Sequence, residues 1–252
     1  MTDFEPQPTI GPSVYPTTVD APQNLRGDII DSVWALVAAG IPTGAAICGL
    51  GSRLLMLLLR LTSPESVIGV TSDDGFTIGQ VTPDGTYSLL MLGATFGIIA
   101  AAAYQWVSPW LIGPTWFRRL TVGLAAGAVV GSMLLHADGV DFTRLKPTWL
   151  TIASFIALPA AFGAAIGATV DKAKRNAAIG QRNQARWLWV LAFPITLIPL
   201  AVATVVLLAS KSIQPKAQGA PTGTGAFVVR SIWLAIATIG LVHLIDDIRS
   251  IA

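Results

Sequence analysis

The chain has 252 residues, of which 53% are hydrophobic and 12% charged, with a formal net charge of +2 and a mean hydropathy of +0.64. A typical soluble domain is about 25% charged, and here the apolar residues fall in blocks of about 20, the length a helix needs to cross a hydrocarbon core roughly 30 Å thick. The composition therefore excludes an ordinary soluble fold and a nucleic-acid partner, and the single cysteine, Cys48, excludes an intramolecular disulfide or thiolate metal cluster and reads as a small buried hydrophobe.

Residues 1–28 contain Pro6, Pro8, Pro12, Pro16 and Pro22 with Asp3, Glu5 and Asp20, and lack the basic and apolar regions of a signal peptide. They read as a disordered cytoplasmic tail. The first apolar block, Val33 to Leu61, is longer than a bilayer core and must tilt, kink or protrude. Pro42 is the expected kink, and a break near Gly49 to Ser52 is left open. In the polar stretch 64–86, two β-rich runs, Val67 to Thr71 and Phe76 to Thr82, flank Ser72-Asp73-Asp74-Gly75, the signal of an extracytoplasmic β-hairpin.

A second span is expected over Tyr87 to Val107, with Tyr104, Trp106 and Trp110 as an interfacial aromatic belt. A third covers Leu120 to Leu135, and a fourth Trp149 to Val170, bent at Pro159. A basic segment, Asp171 to Arg186, leads to a fifth span, Trp187 to Ala209, with Pro194 and Pro199; a Pro- and Gly-bearing linker precedes a sixth, Phe227 to Ile245. The expected fold class is an all-α polytopic transmembrane bundle of about six spans: a four-helix unit over 29–173, a cytoplasmic loop at 174–186 and an appended helical pair over 187–252.

Lys172, Lys174, Arg175, Arg182 and Arg186 crowd one loop, and Arg118 with Arg119 marks the loop two crossings earlier. Basic loops face the cytoplasm, which puts both termini inside a plasma membrane and divides Lys and Arg nine inside to seven outside. The five residues of the basic segment are candidate contacts for anionic lipid headgroups. Glycines recur at four-residue spacing, as Gly40 and Gly44, Gly93 and Gly97, Gly123, Gly127 and Gly131, and Gly163 and Gly167, the pattern by which membrane helices approach closely.

Arg53 and Arg60 lie seven residues apart, on nearly one helix face. An arginine well inside the bilayer costs at least about 2.5 to 3.5 kcal/mol unless it snorkels or finds a partner, so Arg53 is either an anion or ion-pathway residue or one locked to a structural partner, and the second is favoured. His136, Asp138 and Asp141 stand at the outer end of the third span and complete a candidate ligand-binding cluster with Arg53 and Arg60; as metal ligands they are too few. The plainer reading is a helix end and turn. His243, Asp246 and Asp247 close the last span, expected at the cytoplasmic face, where His243 can titrate near neutral pH. No metalloprotease, nucleotide-binding or nucleophile-elbow motif occurs, and no cofactor is implied.

Over residues 49–173, through Gly51-Ser52-Arg53 with Arg60, Gly69-Val70-Thr71 to Gly79-Gln80-Val81-Thr82, and Asp138 to Asp141-Phe142, the chain resembles a group of uncharacterised actinobacterial integral membrane proteins. That resemblance implies a membrane location and a helical fold; it carries no activity and transfers no catalytic residue. Three functions stay open: a structural or accessory subunit with a membrane-protein partner, which is preferred; a small transporter or channel using Arg53; and a membrane-embedded enzyme or receptor with an outer polar pocket.

Overall fold

Proline punctuates the chain, and the helices follow that punctuation. In a computed structural model the described residues are 25–71, 81–136, 139–180, 188–211 and 224–251. The first helix, α1, covers residues 25–62: it is α-helical over Leu25–Ala35, widens to a π-helix at Leu36–Gly40, tightens over Ile41–Gly44, widens again at Ala45–Gly51 and ends as Ser52–Thr62. The helix thus runs unbroken past Pro42, whose missing N–H is accommodated by widening on either side. It also continues through Gly49 to Ser52 without a break.

Helix α2 spans Pro83–Val107, with Pro83 in its first turn and the Thr82 hydroxyl accepting from Gly85 N at 3.2 Å, an N-cap that satisfies an otherwise unpartnered donor. Helix α3, Thr115–Leu134, and helix α5, Thr148–Ala178, start after Pro114 and Pro147. Between them lies a short helix α4, Val140–Arg144. Gly180, at φ +73°, stops α5 in the left-handed conformation that only glycine adopts freely. Two short helices follow, α6 (Leu188–Ala192) and α7 (Leu197–Lys211), and then α8 (Thr224–Ile251).

Among the described residues, five helices are long and apolar enough to cross a membrane: 29–62, 83–110, 115–134, 148–178 and 224–251. The expected fifth span, Trp187 to Ala209, is not one of them. Phe193 turns the backbone to φ −128° and ψ 69°, and Pro194–Thr196 forms a single tight turn, so α6 and α7 are separate pieces. The expected β-hairpin is not supported either. Val67, the first residue of its first arm, closes the 3₁₀ turn Glu65–Val67 behind Pro64; residues 72–80 lie outside the described residues, and no strand occurs among those described.

Helix directions follow from contacts. Gln105 Nε2 donates to Ser32 O at 3.2 Å, Gly40 meets Gly97 and Gly49 meets Leu90, so α1 and α2 are antiparallel. Arg119 pairs with Asp171 while Gly131 touches Ile156, so α3 and α5 are antiparallel too. We call the two ends of the bundle the Arg119 end and the Arg53 end. Arg230 Nε donates to Trp110 O at 2.8 Å, Gly240 packs on Val129, and Leu244 is buried with Leu135 and Phe142. Helix α8 therefore starts at the Arg119 end and finishes at the Arg53 end, parallel to α3.

The end of α5 and the start of α8 thus lie at the same end of the bundle. Helix α6 packs beside residues 36–44 of α1, whereas α7 packs beside Leu25–Ala35, nearer the Arg119 end, and along α2. The chain from 188 to 211 enters the bundle, turns at Phe193–Thr196 and comes back. The pair expected as appended helices is split, because α7 leans on α2 and α8 on α3. Helix α1 is the centre: 67% of its apolar window is buried, against 11% for α8. Its Trp34 to Ala39 and Ile41 form the main core with Ile98, Ala101 and Tyr104 of α2 and Ile166 and Val170 of α5.

Candidate functional site

Two faces of α1 set the site. On the α2 side the helices meet at backbone distance: a side-chain carbon on Gly97 would collide with Gly40 O, and one on Gly44 with Gly93 O. On the α5 side the helices stand apart around a groove of about 880 Å³. From α1 the wall is Ala38, Ala39, Pro42, Thr43, Ala46 and Ile47, a stripe repeating every four residues through the irregular stretch. Helix α5 supplies Ala165, Thr169, Lys172, Ala173 and Asn176, and α6 closes the side with Leu188 and Ala192. π-Helical stretches occur often at functional sites, and a large apolar pocket with a few convergent polar groups is the default binding site.

The polar groups in this groove divide in two. Deep inside, Thr43 Oγ1 donates to Thr169 Oγ1 at 3.1 Å, while Thr169 Oγ1 donates back to Ala165 O at 2.9 Å. That pair is satisfied within the protein and offers a ligand little. Towards the Arg119 end, Lys172 and Asn176 sit one turn apart on α5 and make no hydrogen bond or ion pair among the described residues. Beyond the groove, towards the Arg53 end, Leu158 packs directly on Gly51, so the groove is blind on that side.

Next to Lys172 the charge is already spent. Asp171 accepts from Arg119 Nε at 3.0 Å and Nη2 at 2.9 Å, and Tyr104 Oη lies 3.0 Å from both carboxylate oxygens. The ring of Tyr104 and the Cγ of Arg119 rest on Gly167, one turn before Asp171, so a larger residue there would push the triad apart. Burying charge demands a partner, and this triad ties α2, α3 and α5 together. Sequence reasoning used Arg119 only as a marker of orientation and Asp171 only as the start of a basic segment; the lone carboxylate at the head of that segment was the available signal.

The predicted outer cluster occupies the Arg53 end but does not form the groove. The Arg53 guanidinium packs against Gly85 at the first turn of α2, at a helix end rather than in the bundle's middle. Arg60 is half-buried, and its Nε has no hydrogen-bond partner among the described residues. His136 is exposed, with Nδ1 3.3 Å from Leu134 O, while Asp141 is buried in α4; Asp138 lies outside the described residues. Of the basic segment, Lys172 lines the groove, Lys174 is half-buried and Arg175 is exposed, and Arg182 and Arg186 fall outside the described residues. His243 and Asp246 are exposed at the end of α8 and so lie at the Arg53 end, not at the end expected for them.

No protein-family model, curated protein or solved structure matches this chain.

Proposed function

We propose that the chain is a multi-pass membrane protein that holds an amphiphilic ligand in the blind groove between α1, α5 and α6. The observation that carries this is the groove itself: about 880 Å³ of space at the stretch where the central helix departs from α-helical geometry, across that helix from a seam packed backbone to backbone. Its position away from Arg53 shifts support from transport through an outer cavity to binding in the opposite half. The resemblance to actinobacterial membrane proteins adds nothing on activity.

Sidedness supports the same reading. With five crossings and 188–211 returning to its own side, the described residues Arg26, Arg118, Arg119, Lys172, Lys174, Arg175, Lys211 and Arg230 share one side, against Arg53, Arg60, Arg144, Lys146 and Arg249 on the other. Eight against five is a stronger asymmetry than the seven against six that six crossings give these residues, and it favours an N-terminus in the cytoplasm and a C-terminus outside. Reporter fusions after residue 251 test this: activity only of a periplasmic reporter is expected, and activity only of a cytoplasmic one overturns the topology.

The binding reading is tested by native mass spectrometry of protein released gently from membranes. A bound mass on the native chain that Ala46→Trp removes is expected; a bare chain whose spectrum Ala46→Trp leaves unchanged sinks the reading. That outcome would favour the second reading, an accessory subunit, for which the glycine-packed α1–α2 and α3–α5 seams are the supporting feature.

A further inference from the structure

We propose that the occupant of the groove is an anionic membrane lipid, its headgroup phosphate held by Lys172 and Asn176 and one acyl chain lying along α1. This rests on the groove being a binding site and names what it takes. Three observations converge on that ligand.

The first is length. From Ala165 to Asn176 the wall on α5 rises roughly 16 Å, about half of a 30 Å hydrocarbon core, which is the depth of one leaflet. The groove ends where Leu158 meets Gly51, near where such a chain would end.

The second is the distribution of polarity. The deep wall is alanine and aliphatic carbon, and its only hydroxyls, Thr43 and Thr169, are paired with each other. A chain without hydrogen-bonding groups suits it, and a sugar or a polar metabolite would strip water from its hydroxyls for nothing in return. The donors that remain, the Lys172 ammonium and the Asn176 amide, stand one turn apart on α5 towards the Arg119 end, where a headgroup would sit.

The third is charge. Asp171, the carboxylate next in sequence to Lys172, is neutralised by Arg119 and accepts a hydrogen bond from Tyr104, so it does not cancel Lys172. Arg175, in the same turn, is exposed and does not line the groove. Transfer of an acyl chain from bilayer to groove gains little, since lipid tails are as apolar as the lining. Selection must therefore come from the headgroup, with about 1 kcal/mol expected per lysine at the surface, equivalent to roughly fivefold in occupancy.

The experiment uses the full chain in nanodiscs of phosphatidylcholine carrying a minor fraction of phosphatidylglycerol, with retained lipid counted by native mass spectrometry. Phosphatidylglycerol is expected to be enriched, and Lys172→Gln to lower that enrichment about fivefold. Arg175→Gln, which removes the same charge from the same turn but not from the groove, is expected to keep it. Equal losses in both variants overturn the site, because they mean diffuse surface attraction. Retention of lipid regardless of headgroup overturns the anionic assignment while leaving the groove a ligand site. Protection by inorganic phosphate in zwitterionic nanodiscs, lost in Lys172→Gln, with no lipid retained, assigns the site to a free anion and overturns the lipid. Failure of the binding reading itself is distinct: no retained mass, and none changed by Ala46→Trp.

Discussion

Along residues 38–49, α1 meets α2 through glycine and meets α5 and α6 across open space. The same dozen residues thus face a seam where backbone touches backbone and a groove where alanines stop short of their neighbours and Thr43 reaches across to Thr169. Small side chains are common to both faces. What differs is whether the opposite helix also offers small residues in register: α2 does, with Gly93 and Gly97, whereas α5 brings Thr169 and Lys172. A small-residue stripe therefore permits close approach without dictating it, and its partner decides between packing and cavity.

That contrast can be broken most severely at the seam. Gly97→Val would drive a branched side chain into Gly40 O, where a backbone rather than a flexible side chain blocks it. Overpacking costs typically 1 to 3 kcal/mol, and here about 3 kcal/mol or more is expected, seen as loss of the folded peak in detergent size-exclusion chromatography. A native-like melting temperature would mean the seam is looser than described.

Next in size is the triad, which braces the Arg119 end. Asp171→Asn leaves Arg119 without its counter-charge; breaking a fully buried pair costs 3 to 5 kcal/mol, and with side chains 26% and 20% exposed about 1 to 2 kcal/mol is expected. A double-mutant cycle with Arg119→Leu measures the coupling, and strictly additive losses would show that the pair does not act as one.

The groove should respond least. Ala46→Leu adds carbon to open space, so its expected cost stays below about 1 kcal/mol, the reverse of Gly97→Val on the other face. Comparable unfolding temperatures for the two variants would erase the distinction between the faces. Thr43→Val removes one inter-helix hydrogen bond while Thr169 keeps its backbone acceptor; membrane hydrogen bonds of this kind average about 0.6 kcal/mol, a small shift in melting temperature.

Much of the helical architecture was legible because length and hydropathy report on crossing, and five of the six expected blocks are helices of crossing length. Windowed hydropathy has no sense of direction, so it counted 187–209 as a span although Phe193–Pro194 folds it back. Counting that block as a crossing placed His243 and Asp246 at the Arg119 end, whereas α8 carries them to the Arg53 end. Residues 67–71 looked like a strand because Val, Ile and Thr favour β structure, but Pro64 and the loop's packing impose a turn: Ser63 exchanges hydrogen bonds with the Lys146 backbone at 3.1 and 2.8 Å, and Val67 is buried with Leu59 and Leu145. The candidate site was legible only in Lys172. A groove is defined by where helices fail to touch, and a pattern of small residues cannot tell that from close contact.

The central position of α1 has a consequence for how the protein is made. The ribosome delivers this helix ahead of α2 to α8, and its permanent neighbours on α5 are about 120 residues behind, on the order of ten seconds at ordinary synthesis rates. In that interval the glycine face meets α2, which follows sooner, while Thr43 and the alanines that face α5 have only lipid or the insertion machinery for company. The segment least suited to standing alone in the bilayer is the one that must wait longest for its companions.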